Sequence, residues 1–538
     1  MIDSAVTEAG ARRARRPPLL LWAAAVAVVA LVTLPLVYLA VRGASGGADA
    51  WSVLGRHRLL DLVGQTALLV GAVTGAAVAV GVPLAWLVVR TRLPGRRFWS
   101  VAAALPLVVP SYVAALVLLA AFGPRGLFQQ VLEGAFGIER VPEIYGFPGA
   151  VLALALSTYP YVYLLTMAAF RDLDPALEEA SHGLGRSQLE TLRRVTLPML
   201  RPSIGAGALL VALYTLSDFG AVSLMQYNSL TRAVYLQYRS LFDRTPAAVL
   251  ALVLVLLAAI VLVLEAWSRG RARYHRSAPG AARAAARVEL GRWRWPAVGF
   301  CAGVVGFGLV VPLVVIGYWL ERAISLGEGL EAAWGAAFNS VLASGLAAGA
   351  AVLAALPVAL LAARHPSRWT RSLERVSFSA NALPGIVIAL SLVFFAANYA
   401  SPVYQTLALL VFAYVVRFFP QALAGASSAF ARVSPRLEEA ARGLGRSPRR
   451  AFVTVTAPLA APGLLAGAAL VFLSTMKELP ATLLLRPIGF ETLATEVWTA
   501  TTVGSYSQAA LPALLLIAFS APFVYLLTTR RLGVDAHG

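Results

Sequence analysis

Long apolar runs alternate with short polar stretches along the whole chain. A helix that crosses a bilayer needs about 20 mainly apolar residues. The first series of such runs lies near residues 19–41, 62–89, 98–122, 147–169, 202–227 and 247–267. The second lies near 296–319, 336–363, 376–397, 405–430, 462–485 and 507–528. The pattern predicts an all-α polytopic membrane protein with about 12 transmembrane helices.

One polar stretch between the apolar runs occurs twice. Residues 178–187 and 438–447 agree at eight of ten positions, and the two stretches are 260 residues apart. Such a repeat indicates duplicated structural units. It predicts two parallel six-span halves, residues 1–268 and 295–538, joined by a basic cytoplasmic linker at 269–294.

Each copy predicts two short helices joined at glycines. We call residues 171–200 the first hairpin and residues 431–460 the second hairpin. Each opens with a capping residue and a proline, which suits the first turn of a helix. The first helix is expected to end near the paired glycines, and a serine cap then starts a second helix that runs to a proline. The residues concerned are Asp174, Gly183, Gly185, Ser187 and Pro198, and Ser434, Gly443, Gly445, Ser447 and Pro458.

The arginines predict the orientation in the membrane. Charged residues make up only 13% of the chain, and the net charge of +19 comes from short arginine clusters between the apolar runs. Because positive loops stay in the cytoplasm, both hairpins, the linker and both termini are expected there. The basic character therefore reflects topology in the membrane; membrane lipid is the expected partner, and no nucleic-acid partner is expected.

Composition also limits the chemistry. A phosphate-binding P-loop requires a lysine before Ser or Thr, whereas the only lysine, Lys477, is followed by Glu478. The chain is therefore expected to hydrolyse no ATP itself. The five histidines are scattered and Cys301 is the only cysteine, so no catalytic residues, metal or cofactor are predicted.

The hairpins resemble a known motif. Glu-Ala-Ala followed by glycine and then by an apolar residue and proline is similar to the EAA motif of bacterial ABC importer permeases. The first copy departs from the motif at Ser181 and the second at Ala457. The resemblance implies that an ATPase-coupling loop in each half contains Glu179, Ala180, Gly183 and Gly185, and Glu439, Ala440, Gly443 and Gly445.

This resemblance covers the whole chain, as in fused permeases with two halves. The stretches at 214–221 and 474–487 resemble the ferric-iron branch, which borders thiamine and polyamine permeases. Membership would imply a multi-pass protein of the bacterial inner membrane, two copies of an ABC ATPase subunit and an extracytoplasmic substrate-binding protein. It would also imply import of ferric iron or another small solute.

Two other classes of protein share some of these features. A secondary transporter also has two parallel six-span halves, but it usually needs ionisable residues within its spans and has no need of two matched hairpins. A membrane-embedded enzyme would need a cluster of catalytic or metal-ligating residues, and the scattered histidines argue against one.

Three charged residues, one in the fifth span of the first half and two in the fifth span of the second, form a possible translocation path. The shift of 260 residues places Asp218 on Glu478, and Lys477 is adjacent. Each carboxylate lies some fifteen residues from the cytoplasmic end, roughly 22 Å into the membrane. Pro480 is expected to break the helix just beyond. Two interpretations stay open, a polar vestibule for a cation and an ion pair between Lys477 and Asp218.

Overall fold

The computed structural model describes residues 18–45, 55–123, 126–129, 133, 143–240, 245–269, 287–329, 331–380 and 383–532. In these residues the regular elements are helices, apart from one isolated bridge between Thr91 and Val288. Eleven helices are long and apolar enough to cross a membrane, and Gly385–Tyr399 is a shorter apolar helix. The predicted fold class is confirmed.

Eleven α-helices occur among the described residues of the predicted first half. They are α1 Leu19–Ser45, α2 Arg56–Arg90, α3 Arg96–Ala102, α4 Ser111–Phe122, α5 Phe147–Asp172, α6 Pro175–Gly183, α7 Gln188–Thr191, α8 Leu197–Ser217, α9 Gly220–Leu224, α10 Leu230–Ser240 and α11 Thr245–Arg269.

Twelve more occur in the part of the predicted second half that the structure describes. They are α12 Arg294–Val305, α13 Val311–Ser325, α14 Glu331–Arg364, α15 Arg368–Ser379, α16 Gly385–Tyr399, α17 Leu407–Arg432, α18 Pro435–Gly443, α19 Pro448–Ala451, α20 Ala457–Met476, α21 Pro480–Leu485, α22 Leu493–Thr502 and α23 Tyr506–Leu532.

Proline interrupts the third predicted span of each half. The run at 98–122 is not one helix, because α3 gives way to a short 3₁₀ turn that contains Pro106, and α4 starts only after Pro110. The run at 376–397 is also divided, because α15 ends at Ser379 and α16 starts only after Pro384. A proline ring cannot donate the helical hydrogen bond and clashes with the preceding turn. The prediction of two continuous spans was therefore wrong.

The fifth span of each half is also shorter than predicted. The first, expected to reach residue 227, ends at Ser217, and the second, expected to reach 485, ends at Met476. Short helices α9 and α21 follow each break. The expected interruption near Pro480 occurs, but the helix already ends at Met476 and Pro480 is the first residue of the next helix.

The sequence predicts that the second helix of each hairpin ends at its proline. In the structure this helix does not end there. It widens into one π turn, Leu192–Thr196 or Phe452–Thr456, and continues through the proline into the membrane span. The single-turn π bulge adjusts the hydrogen-bond register just before a residue that has no N–H to donate. Each hairpin is thereby joined to α8 or α20 without a loop.

The chain forms two compact units. One comprises Met1–Val37, Ala343–Asn381 and Val411–Thr475, and the other comprises Tyr38–Leu342, Ala382–Leu410 and Met476–Gly538. The halves 1–268 and 295–538 stay a prediction. Most of the linker 269–294 and the arginines at 12–16 lie outside the described residues.

Glycines bring the hairpin-bearing helices close to the fourth span in each unit. A Cβ added at Gly207 of α8 would lie 2.7 Å from the Cα of Val162 in α5. A Cβ added at Gly425 of α17 would lie 2.8 Å from the Cα of Gly467 in α20. Gly207 and Gly467 correspond at the shift of 260 residues. Such small residues let helix backbones approach closely in a membrane.

Candidate functional site

Each hairpin folds locally as its sequence predicts. The side chains of Asp174 and Ser434 accept hydrogen bonds from backbone N–H groups in the first turns of α6 and α18, at 3.0 and 3.4 Å. The chain then reverses at a residue with left-handed backbone, with φ of +79° at Gly185 and +84° at Gly445. Glycine adopts this conformation without a Cβ penalty.

The two glycines of each hairpin have different roles. Gly183 and Gly443 are the last residues of α6 and α18, and only Gly185 and Gly445 have positive φ. A Cβ added at any of the four would meet no atom within 4 Å. Backbone conformation alone, and not lack of space, therefore calls for glycine at 185 and 445.

A carboxylate ties the first hairpin to the end of α2. Glu178 lies 3.5 Å from the guanidinium of Arg90 and accepts a hydrogen bond from the Thr196 hydroxyl at 2.8 Å. Arg90 is only 6% exposed. Because the pair is largely removed from water, its attraction is screened less than that of a surface pair.

The second hairpin repeats this anchor. Glu438 lies 3.7 Å from Arg364 and accepts from the Thr456 hydroxyl at 3.2 Å, and Arg364 also donates to the carbonyl oxygen of Val433. Sequence reasoning missed both anchors. The signal was present, because the threonines correspond at a shift of 260 residues and the arginines at 274.

The inner contact between the two helices of each hairpin differs between the copies. In the first hairpin the buried hydroxyls of Ser181 and Thr191 are 2.9 Å apart and share a hydrogen bond. In the second, Ala441 and Ala451 occupy the corresponding buried positions. The second hairpin lacks both hydroxyls. Neither copy therefore leaves a buried hydroxyl without its partner at this contact.

The outer face of each hairpin is exposed and apolar at matched positions. Leu177 and Leu184 are 47% and 78% exposed, and Leu437 and Leu444 are 48% and 85% exposed. A repeated apolar face of this kind suits insertion into a partner's cleft. The predicted coupling residues are all exposed in this region, namely Glu179, Ala180, Gly183, Gly185, Glu439, Ala440, Gly443 and Gly445.

The break after α8 is organised around Asp218, which is 8% exposed. Its carboxylate accepts hydrogen bonds from the Ser111 hydroxyl and, at 2.9 Å, from the backbone N–H of Ala221. The Tyr214 hydroxyl donates in turn to Ser111 at 3.2 Å. Asp218 thus caps the short helix α9 and joins it to α4.

The break after α20 has the same design around Glu478, which is 5% exposed. Its carboxylate accepts from the N–H of Ala481 at 3.3 Å, at the start of α21. The ammonium of Lys477 donates to the carbonyl oxygen of Leu107 at 2.9 Å. Sequence reasoning missed this capping role, although an acidic residue shortly before proline is a helix-start signal.

Residues from both predicted halves meet beside these carboxylates. A Cβ added at Gly220 would lie 2.7 Å from the Cβ of Tyr112 and 3.1 Å from Leu479. The rings of Phe219 and Trp498 pack with their centroids 5.0 Å apart. Asp218 and Glu478 therefore lie next to a tightly packed apolar contact.

One further charge within a span escaped the sequence reasoning. Arg417 is half-buried in the span Leu407–Arg432. It lies ten residues from Leu407, or roughly 15 Å along the helix, near the middle of a hydrocarbon core of about 30 Å. A charge at this depth faces protein or a water-filled path. Its signal was a single arginine inside an otherwise apolar run.

No group of three or more His, Cys, Asp or Glu side chains that could hold a metal ion occurs in the described part of the chain. The candidate site consists instead of two exposed hairpins, the helices that lead from them and the capped breaks at their far ends. Such an arrangement suits the transmission of movement through a membrane.

The family described as binding-protein-dependent transport system inner membrane component matches the chain twice, at residues 77–274 and 355–533. The Fe(3+)-transport system permease protein FbpB 2 of Haemophilus influenzae is 34% identical over 95% of this chain and 98% of its own length. The ferric transport system permease protein FbpB of Actinobacillus pleuropneumoniae is 22% identical over 80% of this chain and 65% of its own length.

Relatives that are named for a substrate other than iron match a smaller part of this chain. The molybdenum transport system permease protein ModB of Escherichia coli is 31% identical over 39% of this chain and 94% of its own length. A relative that matches over nearly its full length thus covers little more than a third of this chain, in agreement with the internal repeat.

Proposed function

The chain belongs to the family of binding-protein-dependent transport system inner membrane components, and we propose that it is the membrane subunit through which a separate ATPase drives import of ferric iron. The proposal for iron rests on the relative that matches almost the full length of both chains. The relatives named for molybdenum and sulfate each match less than half of this chain.

Coupling to the ATPase is assigned to the two hairpins. Their matched exposed leucines are the observation that carries this role. Two hairpins require two ATPase copies, one for each apolar face. The arginine distribution supports a cytoplasmic location for the hairpins and both termini, and the opposite side would then receive iron from an extracytoplasmic binding protein.

The helices from the hairpins provide the path for the movement. The second hairpin runs without a loop into the helix that ends at Met476, a segment of 29 residues, which corresponds to roughly 43 Å. Its far end lies next to Glu478. The anchors at Arg90 and Arg364 oblige α2 and α14 to follow their hairpins. A rigid-body push at a hairpin would therefore move the capped break and change access between the halves.

The test compares the purified chain with the assembled complex. The chain alone is expected to show no ATPase activity above background, and the complex with two ATPase subunits is expected to take up radioactive ferric iron in proteoliposomes when the binding protein is present. ATP turnover by a verified single-chain preparation would refute the proposed division of labour. Uptake of molybdate or sulfate in place of iron would refute only the proposal that ferric iron is the substrate.

A further inference from the structure

A cavity of about 690 Å³ lies beside the first hairpin. Its apolar walls come from the ends of two spans, with Trp86 and Leu87 on α2 and Ala297 and Phe300 on α12. Glu178, Glu179 and His182 of the first hairpin also line it. The cavity thus lies at the membrane boundary, directly behind a hairpin that we assign to ATPase coupling.

The end of the linker completes this cavity. Val288 pairs with the chain after α2, because its N–H donates to the Arg90 carbonyl oxygen at 2.8 Å and its own carbonyl oxygen accepts from Arg92 at 3.0 Å. Glu289 forms an ion pair with Arg92 at 2.6 Å. This pairing places Arg287 in the cavity wall. The cavity therefore combines apolar walls with a basic edge.

Arg90 supplies a buried donor at the same edge. It lines the cavity, and its Nε has no hydrogen-bond partner among the residues that the structure describes. Glu178 and Glu289 also line the cavity, where Glu178 pairs with Arg90 itself and Glu289 pairs with Arg92. Glu179 is exposed. Two of the three carboxylates are thus already paired with arginines, and the donors that an anion could meet are the Nε of Arg90 and the exposed guanidinium of Arg287.

More arginines extend this edge outside the cavity. Burial, followed by the charges of Arg287, Arg171 and Arg97, lowers the pKa of Arg96. Guanidinium groups that repel one another in this way are stabilised by a nearby anion. Trp293 directly precedes α12 at the cavity and is 62% exposed, as is typical of tryptophan at a membrane interface.

We propose that this cavity binds one anionic phospholipid of the cytoplasmic leaflet, with its phosphate headgroup at Arg90, Arg96 and Arg287 and an acyl chain between α2 and α12. Basic pockets between spans on the cytoplasmic side suit such headgroups. The chemistry of a free phosphate is similar, but the apolar walls favour a ligand with a hydrocarbon chain. The choice of leaflet rests on the orientation in the proposed function.

The second half offers a matched control. The shift of 274 residues places Arg97 on Arg371, but it places Arg96 on Thr370 and Trp86 on Leu360. Arg371 and Arg375 are exposed on α15. The double variant R371Q/R375Q removes as much charge as R96Q/R287Q and leaves the cavity intact.

The test measures lipid retained by the full chain, purified in detergent, by native mass spectrometry after addition of phosphatidylglycerol or phosphatidylcholine. Wild type and R371Q/R375Q are expected to retain one phosphatidylglycerol in preference to phosphatidylcholine. R96Q/R287Q is expected to weaken its binding by about 30-fold, since each arginine near an anionic surface contributes about fivefold. Ala297→Phe, which fills the cavity without altering charge, should weaken binding of either lipid.

Equal retention by wild type and R96Q/R287Q, or no effect of Ala297→Phe in a folded chain, would overturn the proposal. Displacement of the lipid by millimolar inorganic phosphate would identify a site for a soluble anion instead. These measurements use no ATPase and no iron, so a failure here is distinguishable from a failure of the proposed function.

Discussion

Substituting valine at Gly185 tests how strictly the hairpin geometry is required. The backbone at this position has a φ of +79°. A left-handed conformation costs a residue with a Cβ about 1–2 kcal/mol, and β-branching raises the cost further. Because a Cβ at 185 would meet no atom within 4 Å, no steric clash adds to this cost.

Gly183 provides the control. It is helical, and a Cβ there would also meet no atom within 4 Å. Valine is a better helix former than glycine by a few tenths of a kcal/mol, so Gly183→Val should leave the hairpin as stable as before. The two variants carry the same side chain two residues apart and differ in the backbone conformation that it must adopt.

A penalty of about 2 kcal/mol corresponds to about a 30-fold loss in the population of the correctly folded turn. We expect Gly185→Val and Gly445→Val to reduce recovery of the ATPase subunit in a pull-down, or to leave ATP hydrolysis without iron uptake. Gly185→Asn should retain most of both activities, since asparagine tolerates the left-handed region. Equal behaviour of Gly183→Val and Gly185→Val in both assays would refute the reasoning.

Three further predictions concern polar groups at buried or half-buried positions. Ser181→Ala alone should destabilise the first hairpin by about 1 kcal/mol because the Thr191 hydroxyl loses its partner, whereas adding Thr191→Ala should restore stability, as a thermal-unfolding double-mutant cycle would show. Asp218→Asn and Glu478→Gln retain oxygen acceptors for the caps, so the complex is expected to assemble and to hydrolyse ATP. If these charges line the translocation path, iron uptake is expected to fall. Full uptake in the double variant would exclude both carboxylates from the path. Arg417→Gln should leave the complex assembled but reduce iron uptake if the guanidinium faces a water-filled path, and unchanged uptake would assign it a packing role.

The sequence alone determined the features that depend on local chemistry. The repeat predicted two matched hairpins, and their caps and the left-handed turns at Gly185 and Gly445 followed from residues only a few positions apart. The interruption near Pro480 was local as well, because the proline ring acts on the turn in which it lies. Prolines 106 and 110 carried the same information, but the apolar run around them favoured one continuous span.

Only the tertiary structure decided which distant side chains are partners. Arg90 meets Glu178, Ser111 meets Asp218, and Lys477 bonds the Leu107 carbonyl oxygen 370 residues away. Periodicity places a residue on one face of its own helix, but it does not identify the helix packed against that face. The bond from Ser111 to Asp218 and the docking of Val288 beside Arg90 followed only once the helices had been brought together, because burial makes an unpaired polar group costly and so selects its partner.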